Sequence, residues 1–309
     1  MARSRSTMVN GGNWPVRLLS LLAALTLLVG CGSSGAGSGQ KKVAIGSKGF
    51  TEQLIVAEMA AALLENDGYK VERNLNLSTT QICHESLTKG SIDMYIEYTG
   101  TGLLSVLNLP PQPEPQAVYD TVKKEYASRF KLNWLQPWGF NDTYALVMKK
   151  DKAEQLGIKK ISDLQSKASG LVLGSGAEFF SRPDGLPGLR TAYGITFKED
   201  RGMDPGIMYQ AVAGNQVDLI AGFSTDGRIP TLGLVVLEDD KKFFPPYFAA
   251  PIVRQDTLDK NAGMADLLNK LAGKIDDQTM ANLNAQVDQD KKEPADVAKA
   301  FLRQQGLIK

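Results

Sequence analysis

Leu87-Thr88-Lys89-Gly90-Ser91-Ile92-Asp93-Met94-Tyr95 and Val212-Ala213-Gly214-Asn215-Gln216-Val217-Asp218-Leu219-Ile220 are two versions of one pattern. Each reads as a helix end, a glycine stop, and a strand that opens on an apolar residue followed by Asp. One such unit in each half of the chain predicts two similarly built α/β lobes. Working outward, Val43-Ala44-Ile45 is a short strand and Gly46-Ser47-Lys48-Gly49 a turn. Thr51 is expected to cap a helix in which Ile55, Met59, Ala62 and Leu63 recur at helical spacing. A glycine-rich turn at a helix N-terminus favours an anion, so Ser47 and Lys48 are placed to meet a carboxylate or phosphate. Tyr144–Met148 and Ala249–Val253 read as buried strands and mark two crossings between the lobes. Residues 41–141 with 250–309 then form lobe I, with the helical pattern from Ala262 through Leu307 completing it, and residues 142–249 form lobe II. Two lobes joined twice make a cleft that closes on a ligand by hinge bending.

Composition narrows the chemistry. The 309 residues carry 35 Lys+Arg against 34 Asp+Glu, a formal charge of +1, with 43% hydrophobic and 22% charged residues. That is a folding composition without the basic excess needed to neutralise nucleic-acid phosphates. One histidine, His84, and two cysteines, Cys31 and Cys83, are too few for a zinc site and leave no choice of base for a Ser/His/Asp set. No metal or cofactor is expected. Cys83 reads as a small buried apolar residue rather than a nucleophile, because His84 beside it has no visible third group to orient it.

The N-terminus is an address. Arg3, Arg5 and Arg17 precede the apolar run Leu18–Val29, which is too short to span a bilayer and fits a secretory signal over residues 1–30. Leu28-Val29-Gly30-Cys31 resembles a lipobox, with Cys31 the lipidated residue. The glycine- and serine-rich stretch that follows makes 31–40 a flexible tether. Loss of residues 1–30 leaves 32 basic and 34 acidic side chains, a net charge of −2. Attachment would therefore rest on lipid chains rather than a polybasic patch. The expected location is the extracytoplasmic face of the cell membrane.

Five motifs then occur in order: Ile45-Gly46-Ser47-Lys48-Gly49-Phe50-Thr51-Glu52-Gln53, Tyr95-Ile96-Glu97-Tyr98-Thr99-Gly100-Thr101, Gly139-Phe140-Asn141-Asp142-Thr143-Tyr144-Ala145-Leu146, Arg182-Pro183-Asp184-Gly185-Leu186-Pro187-Gly188-Leu189, and Ser224-Thr225-Asp226-Gly227-Arg228-Ile229. Together they resemble the substrate-binding proteins of osmoprotectant ABC importers, the glycine betaine/choline/carnitine family. The resemblance implies the type II periplasmic-binding-protein fold, two lobes with two hinge crossings. It also implies a quaternary ammonium ligand, and an ABC permease with a cytoplasmic ATPase as partner.

On that resemblance Tyr98, Tyr144, Phe223 and Tyr247 occupy the positions of an aromatic box. A trimethylammonium group donates no hydrogen bond, so ring faces must hold it, at about 0.5–2 kcal/mol each. Phe223 stands where the family pattern has Tyr, which bears on ligand range more than ligand class. Lys48, Thr101 and Arg182 match the donors for a ligand carboxylate. Asp142 either balances the positive end or satisfies backbone donors at the crossing. Gln53 and Gln81 are weaker candidates for the cleft.

The expected function is capture of glycine betaine, choline, carnitine or proline betaine by a monomer, without catalysis. Two alternatives stand beside it: the same fold binding an amino acid or polyamine, and an exported enzyme using Glu97, Asp142 or Asp226. On an alternating strand Glu97 should point away from Tyr98. No carboxylate spacing demands glycoside chemistry.

Overall fold

The computed structural model describes residues 41–309. The signal segment, the tether and Cys31 lie outside the described residues. Ten strands form two sheets. The first contains β1 (Lys42–Gly46), β2 (Lys70–Asn74), β3 (Met94–Tyr98) and β4 (Leu132–Trp134). The second contains β5 (Tyr144–Lys149), β6 (Val172–Ser175), β7 (Glu199–Gly202), β8 (Leu219–Phe223) and β9 (Leu234–Val236). The last strand, β10 (Ala249–Arg254), returns to the first sheet.

The strand orders are β2-β1-β3-β10-β4 and β7-β6-β8-β5-β9. In each sheet the first three strands are parallel, and the fourth runs antiparallel between the third and the fifth. The two sheets thus share one topology, and each receives its antiparallel strand directly after a crossing. This is the type II arrangement that the motifs imply. Both outer parallel strands, Lys70-Val71-Glu72-Arg73-Asn74 and Glu199-Asp200-Arg201-Gly202, are charged edges that discourage pairing with another chain.

The twin segments explain the shared topology. Asp93 accepts a hydrogen bond from Ala44 N at 2.8 Å, and Asp218 accepts one from Val172 N at 2.6 Å. Each acid closes the start of its strand against the neighbouring parallel strand. Gly90 takes the left-handed conformation at φ +78°, as expected of a glycine stop. In the second copy the left-handed residue is Asn215, at φ +58°, while Gly214 stays at φ −84°. Asn tolerates that region better than other side-chain-bearing residues, so the stop has moved by one position.

Side-chain alternation along β3 fixes what each face meets. Met94, Ile96 and Tyr98 pack with the helix Thr51–Asn66, whereas Tyr95 packs with Cys83, Trp134 and Ile252 on the other face. The helix Thr51–Asn66 is buried along most of its length because a second layer covers it. That layer includes the helix Pro294–Gln304, whose Val297, Ala298, Phe301 and Leu302 form one stripe. The expected cap does not form at the N-terminus of Thr51–Asn66. Phe50 is the capping position and makes no side-chain bond, while the Thr51 hydroxyl donates to Asp288 at 2.6 Å.

The crossings run side by side. Asp142 N donates to Tyr247 O at 3.1 Å, Tyr247 N to Asn141 Oδ1 at 2.6 Å, and Trp138 N to Ala249 O at 2.9 Å. Pro251 sits inside the central strand β10 without breaking it. Its carbonyl accepts from Leu135 N just past the end of β4, so its missing N–H falls on that side and not on the ladder with β3. The strands Tyr144–Lys149 and Ala249–Arg254 therefore follow the crossings rather than making them.

Candidate functional site

The ends of β3, β5 and β8 and the segment before β10 converge where the two sheets face one another, the usual place for a ligand in open α/β sheets. They surround a hollow of about 40 Å³, lined by Lys48, Phe50, Tyr98, Thr101, Asp142, Tyr144, Glu178, Arg182, Phe223 and Tyr247. All eight residues expected from the sequence lie on it. Phe50 and Glu178 were not expected. The hollow has room for roughly three waters.

Strand register places the rings. Tyr144 opens β5 directly opposite Phe223 at the end of β8, and Tyr98 ends β3 opposite Ala249. Tyr144 and Phe223 stack with centroids 5.6 Å apart, and Tyr247 meets Tyr144 edge-on at 6.1 Å. Phe50 stacks on Phe223 at 5.0 Å and on Tyr98 at 6.4 Å, joining rings from the two halves. Its signal in the sequence was its place in the first turn motif, read there for glycine geometry and not for its ring. Gly100 lets Tyr247 close in, since a Cβ there would meet the ring at 2.7 Å.

Two tyrosines are held by their hydroxyls. Tyr98 Oη donates to Glu52 Oε1 at 2.7 Å and Tyr247 Oη to Asp184 Oδ2 at 2.6 Å. Burial and these carboxylates push both phenols well above their ordinary range, so they remain neutral donors. Among the described residues Tyr144 Oη has no such partner.

Every cation on the wall has its own carboxylate. Lys48 Nζ donates to Glu97 at 2.6 Å and lies 4.8 Å from the centre of the Tyr98 ring. Glu97, fully buried, also accepts from Tyr95 Oη and from Tyr98 N, and it stays off the hollow, as strand alternation predicts. Arg182 grips Asp184 through Nε at 2.9 Å and Nη2 at 2.5 Å, with Nη2 also reaching Thr101 Oγ1 at 3.1 Å. Its Nη1 has no protein partner among the described residues, and the Thr101 hydroxyl keeps its own hydrogen to donate. Ser47 is not available to an anion: it is fully buried and its hydroxyl accepts from Asn76 N.

The carboxylates considered for catalysis are dispersed. Glu97 is tied to Lys48, and Asp226 to Arg228 at 2.6 Å. Asp142 Oδ1 lies 2.8 Å from Thr225 Oγ1. Cys83 is buried in the first half with its thiol pushed up to about 12, mainly by burial. His84 packs edge-on against Phe130 and Tyr126, with its Nδ1 buried and unbonded. Neither belongs to the hollow. Gln53 lies behind the wall, its Oε1 3.3 Å from Lys48 N. Among the described residues no cluster of His, Cys, Asp and Glu could hold a metal ion, and no helix is long and apolar enough to cross a membrane.

Comparison with known proteins agrees with the geometry. Residues 41–304 match the family described as the substrate-binding domain of the ABC-type glycine betaine transport system. The chain is 36% identical over 287 residues to the carnitine transport binding protein OpuCC of Listeria monocytogenes, covering 92% of this chain and 93% of that one. It is 37% identical over 275 residues to the glycine-betaine-binding protein of Pseudomonas aeruginosa, covering 85% and 88%. A crystal structure of a glycine betaine/carnitine/choline ABC transporter protein superposes with a TM-score of 0.71 at 32% identity, over 86% of this chain and 99% of that chain.

Proposed function

Because the chain belongs to the family of substrate-binding domains of ABC-type glycine betaine transport systems, we propose that it captures one methylated cationic osmolyte between its two halves and delivers it to a permease. The observation that carries this reading is the composition of the hollow. It has ring faces from both halves, and each wall cation, Lys48 and Arg182, is already neutralised by a carboxylate. Such a wall attracts a cation through quadrupoles and does not repel it through net charge.

In this reading Tyr98, Tyr144, Phe223 and Tyr247 hold the trimethylammonium group, with Phe50 added to them. The Thr101 hydroxyl and Arg182 Nη1 receive a carboxylate where the solute has one. Lys48 positions the Tyr98 ring and Glu97 more than it binds solute. Residues 41–141 with 250–309 move as one body against 142–249, and the crossings at Asn141 and Phe248 bend. The names of the relatives support glycine betaine and carnitine as solutes. Cys31 carries the lipid that keeps a monomer at the outer face of the membrane, and no reaction is catalysed.

Calorimetric titration with glycine betaine, choline, carnitine and lysine side by side tests the proposal. Heat from at least one of the three methylated solutes and none from lysine is expected. Binding of lysine alone would replace the osmolyte reading with an amino-acid one. Turnover of any solute in a mass-balance incubation would overturn the non-enzymatic part.

A further inference from the structure

Behind the rings lies a polar cluster that osmolyte capture, as described, leaves unexplained. Glu52 lies in the first turn of the helix Thr51–Asn66, Asp142 stands on the first crossing, and Thr225 follows β8. All three are buried. Neither Glu52 nor Asp142 forms an ion pair among the described residues. The nearby cations are engaged elsewhere: Lys48 with Glu97, Arg182 with Asp184, and Arg228 with Asp226 and Asp288. Thr225 Oγ1 lies 2.5 Å from Glu52 Oε2 and 2.8 Å from Asp142 Oδ1.

A hydroxyl has one hydrogen and can serve one of these two carboxylates. The other contact is also of hydrogen-bond length and needs a hydrogen supplied by the acid. Donor supply decides which acid. Glu52 also receives Tyr98 Oη at 2.7 Å and Asn284 Nδ2 at 3.1 Å, whereas Asp142 has Thr225 N, at 3.5 Å, and a direct side-chain contact with Glu52 itself. The arrangement that fits both Thr225 contacts has Asp142 protonated and donating to Thr225 Oγ1, which donates to Glu52. Burial pushes both carboxyls up, and for Asp142 the nearby Glu52 charge adds to it. Facing the pair from the other packed elements are Tyr98 on β3 and Asn284 on the helix Asp277–Asp288. Across an adjoining cavity of about 250 Å³ lie Asp204, Asp226, Arg228 and Asp288.

Asp142 lines both the hollow and that cavity. A neutral acid offers a quaternary ammonium almost nothing, while its carboxylate is a counter-ion in a water-poor site. We infer that capture of the cation is coupled to release of the proton shared by Glu52 and Asp142. The protonated pair and the cationic solute give an ionised Asp142 facing the cation, and the proton leaves through the adjoining cavity to buffer. Charge is conserved and no other reactant is needed. The inference rests on the proposed cationic solute.

Titration of the full chain with glycine betaine and with choline, in phosphate and in Tris at the same pH, tests it. The two buffers differ in heat of ionisation, so release of up to one proton makes the apparent binding enthalpy buffer-dependent. Affinity should also rise with pH, approaching about tenfold per unit within the titration window of the pair. Equal heats in both buffers from about pH 5 to about pH 8, with a flat affinity, would overturn the coupling and leave the osmolyte reading intact. No heat in either buffer would instead refute that reading. Glu52→Gln should abolish the buffer dependence, because Asp142 no longer competes for a proton. If that chain does not fold, Asp142→Asn serves the same purpose. Buffer dependence that persists in the folded variant places the proton elsewhere.

Discussion

Tyr144 allows ring and hydroxyl to be separated at the one tyrosine of the box whose Oη has no partner among the described residues. Substitution by Phe keeps the ring that stacks on Phe223 at 5.6 Å and meets Tyr247 at 6.1 Å and Phe179 at 5.0 Å. No buried polar partner is orphaned, so Tyr144→Phe should change the Kd for glycine betaine by less than about threefold. Tyr144→Ala removes one ring face from the cation, about 0.5–2 kcal/mol, and loosens four aromatic neighbours, Phe244 at 6.0 Å among them. A total of about 1–3 kcal/mol corresponds to roughly a 5- to 150-fold rise in Kd. Calorimetry supplies the Kd, and ligand-free thermal unfolding monitors the fold. Equal losses for Phe and Ala would refute the ring-face argument, since only the hydroxyl differs between Tyr and Phe.

The same exchange at Tyr98 should behave differently. Tyr98→Phe leaves Glu52 Oε1 buried without that donor, costing about 1–3 kcal/mol of stability. A weakened complex there would report on the support of the ring and not on its face.

Arg182→Ala removes Nη1 as a carboxylate donor and leaves buried Asp184 with the Tyr247 hydroxyl alone. Stability should fall, and the Kd for glycine betaine should rise about 10- to 100-fold more than that for choline, which has no carboxylate. Equal effects on both ligands would remove Arg182 from that role. Cys83, with its thiol pushed up to about 12, should resist alkylation in the native protein and react once denaturant is added. Labelling at native pH would contradict its burial. Because the folded protein holds the Glu52–Asp142 proton more tightly than the unfolded chain, their contribution to stability is complete below the ordinary carboxyl range near about pH 4. It is lost as pH rises through the folded value, so the ligand-free melting temperature should carry a downward contribution over that window. Glu52→Gln should remove it, and an unchanged pH profile in that variant would refute the assignment.

How much of this was legible in the sequence depended on the range of the interaction. Periodicity and turn chemistry are local, and they sufficed for the twin helix-stop-strand units and for the strands either side of the crossings. The stop at Asn215 in place of Gly214 shows the margin of error: Asn and Gly both tolerate left-handed backbone, and spacing alone does not choose between adjacent ones. The site residues were reached by motif resemblance, and the structure gathers all eight on one hollow, while their roles remain to be tested by the substitutions above. Non-local partners were out of reach. Nothing in Gly46-Ser47-Lys48-Gly49 announces that Lys48 will be neutralised by Glu97, or that Ser47 will serve Asn76. Nor does Thr-Glu-Gln at 51–53 announce that Glu52 will share one hydroxyl with an acid 90 positions later in the chain.

That last juxtaposition bears on how the halves stay together. Thr225 belongs to the second half and Glu52 to the first, as do Arg182 and Thr101, and Glu178 and Thr80, whose N–H donates to Glu178 at 2.7 Å. Each of these three bonds involves an ionisable side chain, so opening exchanges it for water at about 1.5–3 kcal/mol where that group is charged. The exception is the carboxyl pair. Opening lets water reach both acids, and their affinity for the proton falls. Where the open pair has lost it, closure without solute must take the proton back, whereas closure around a cation need not. The free energy of that proton thus separates productive closure from empty closure, and the separation should widen as pH rises.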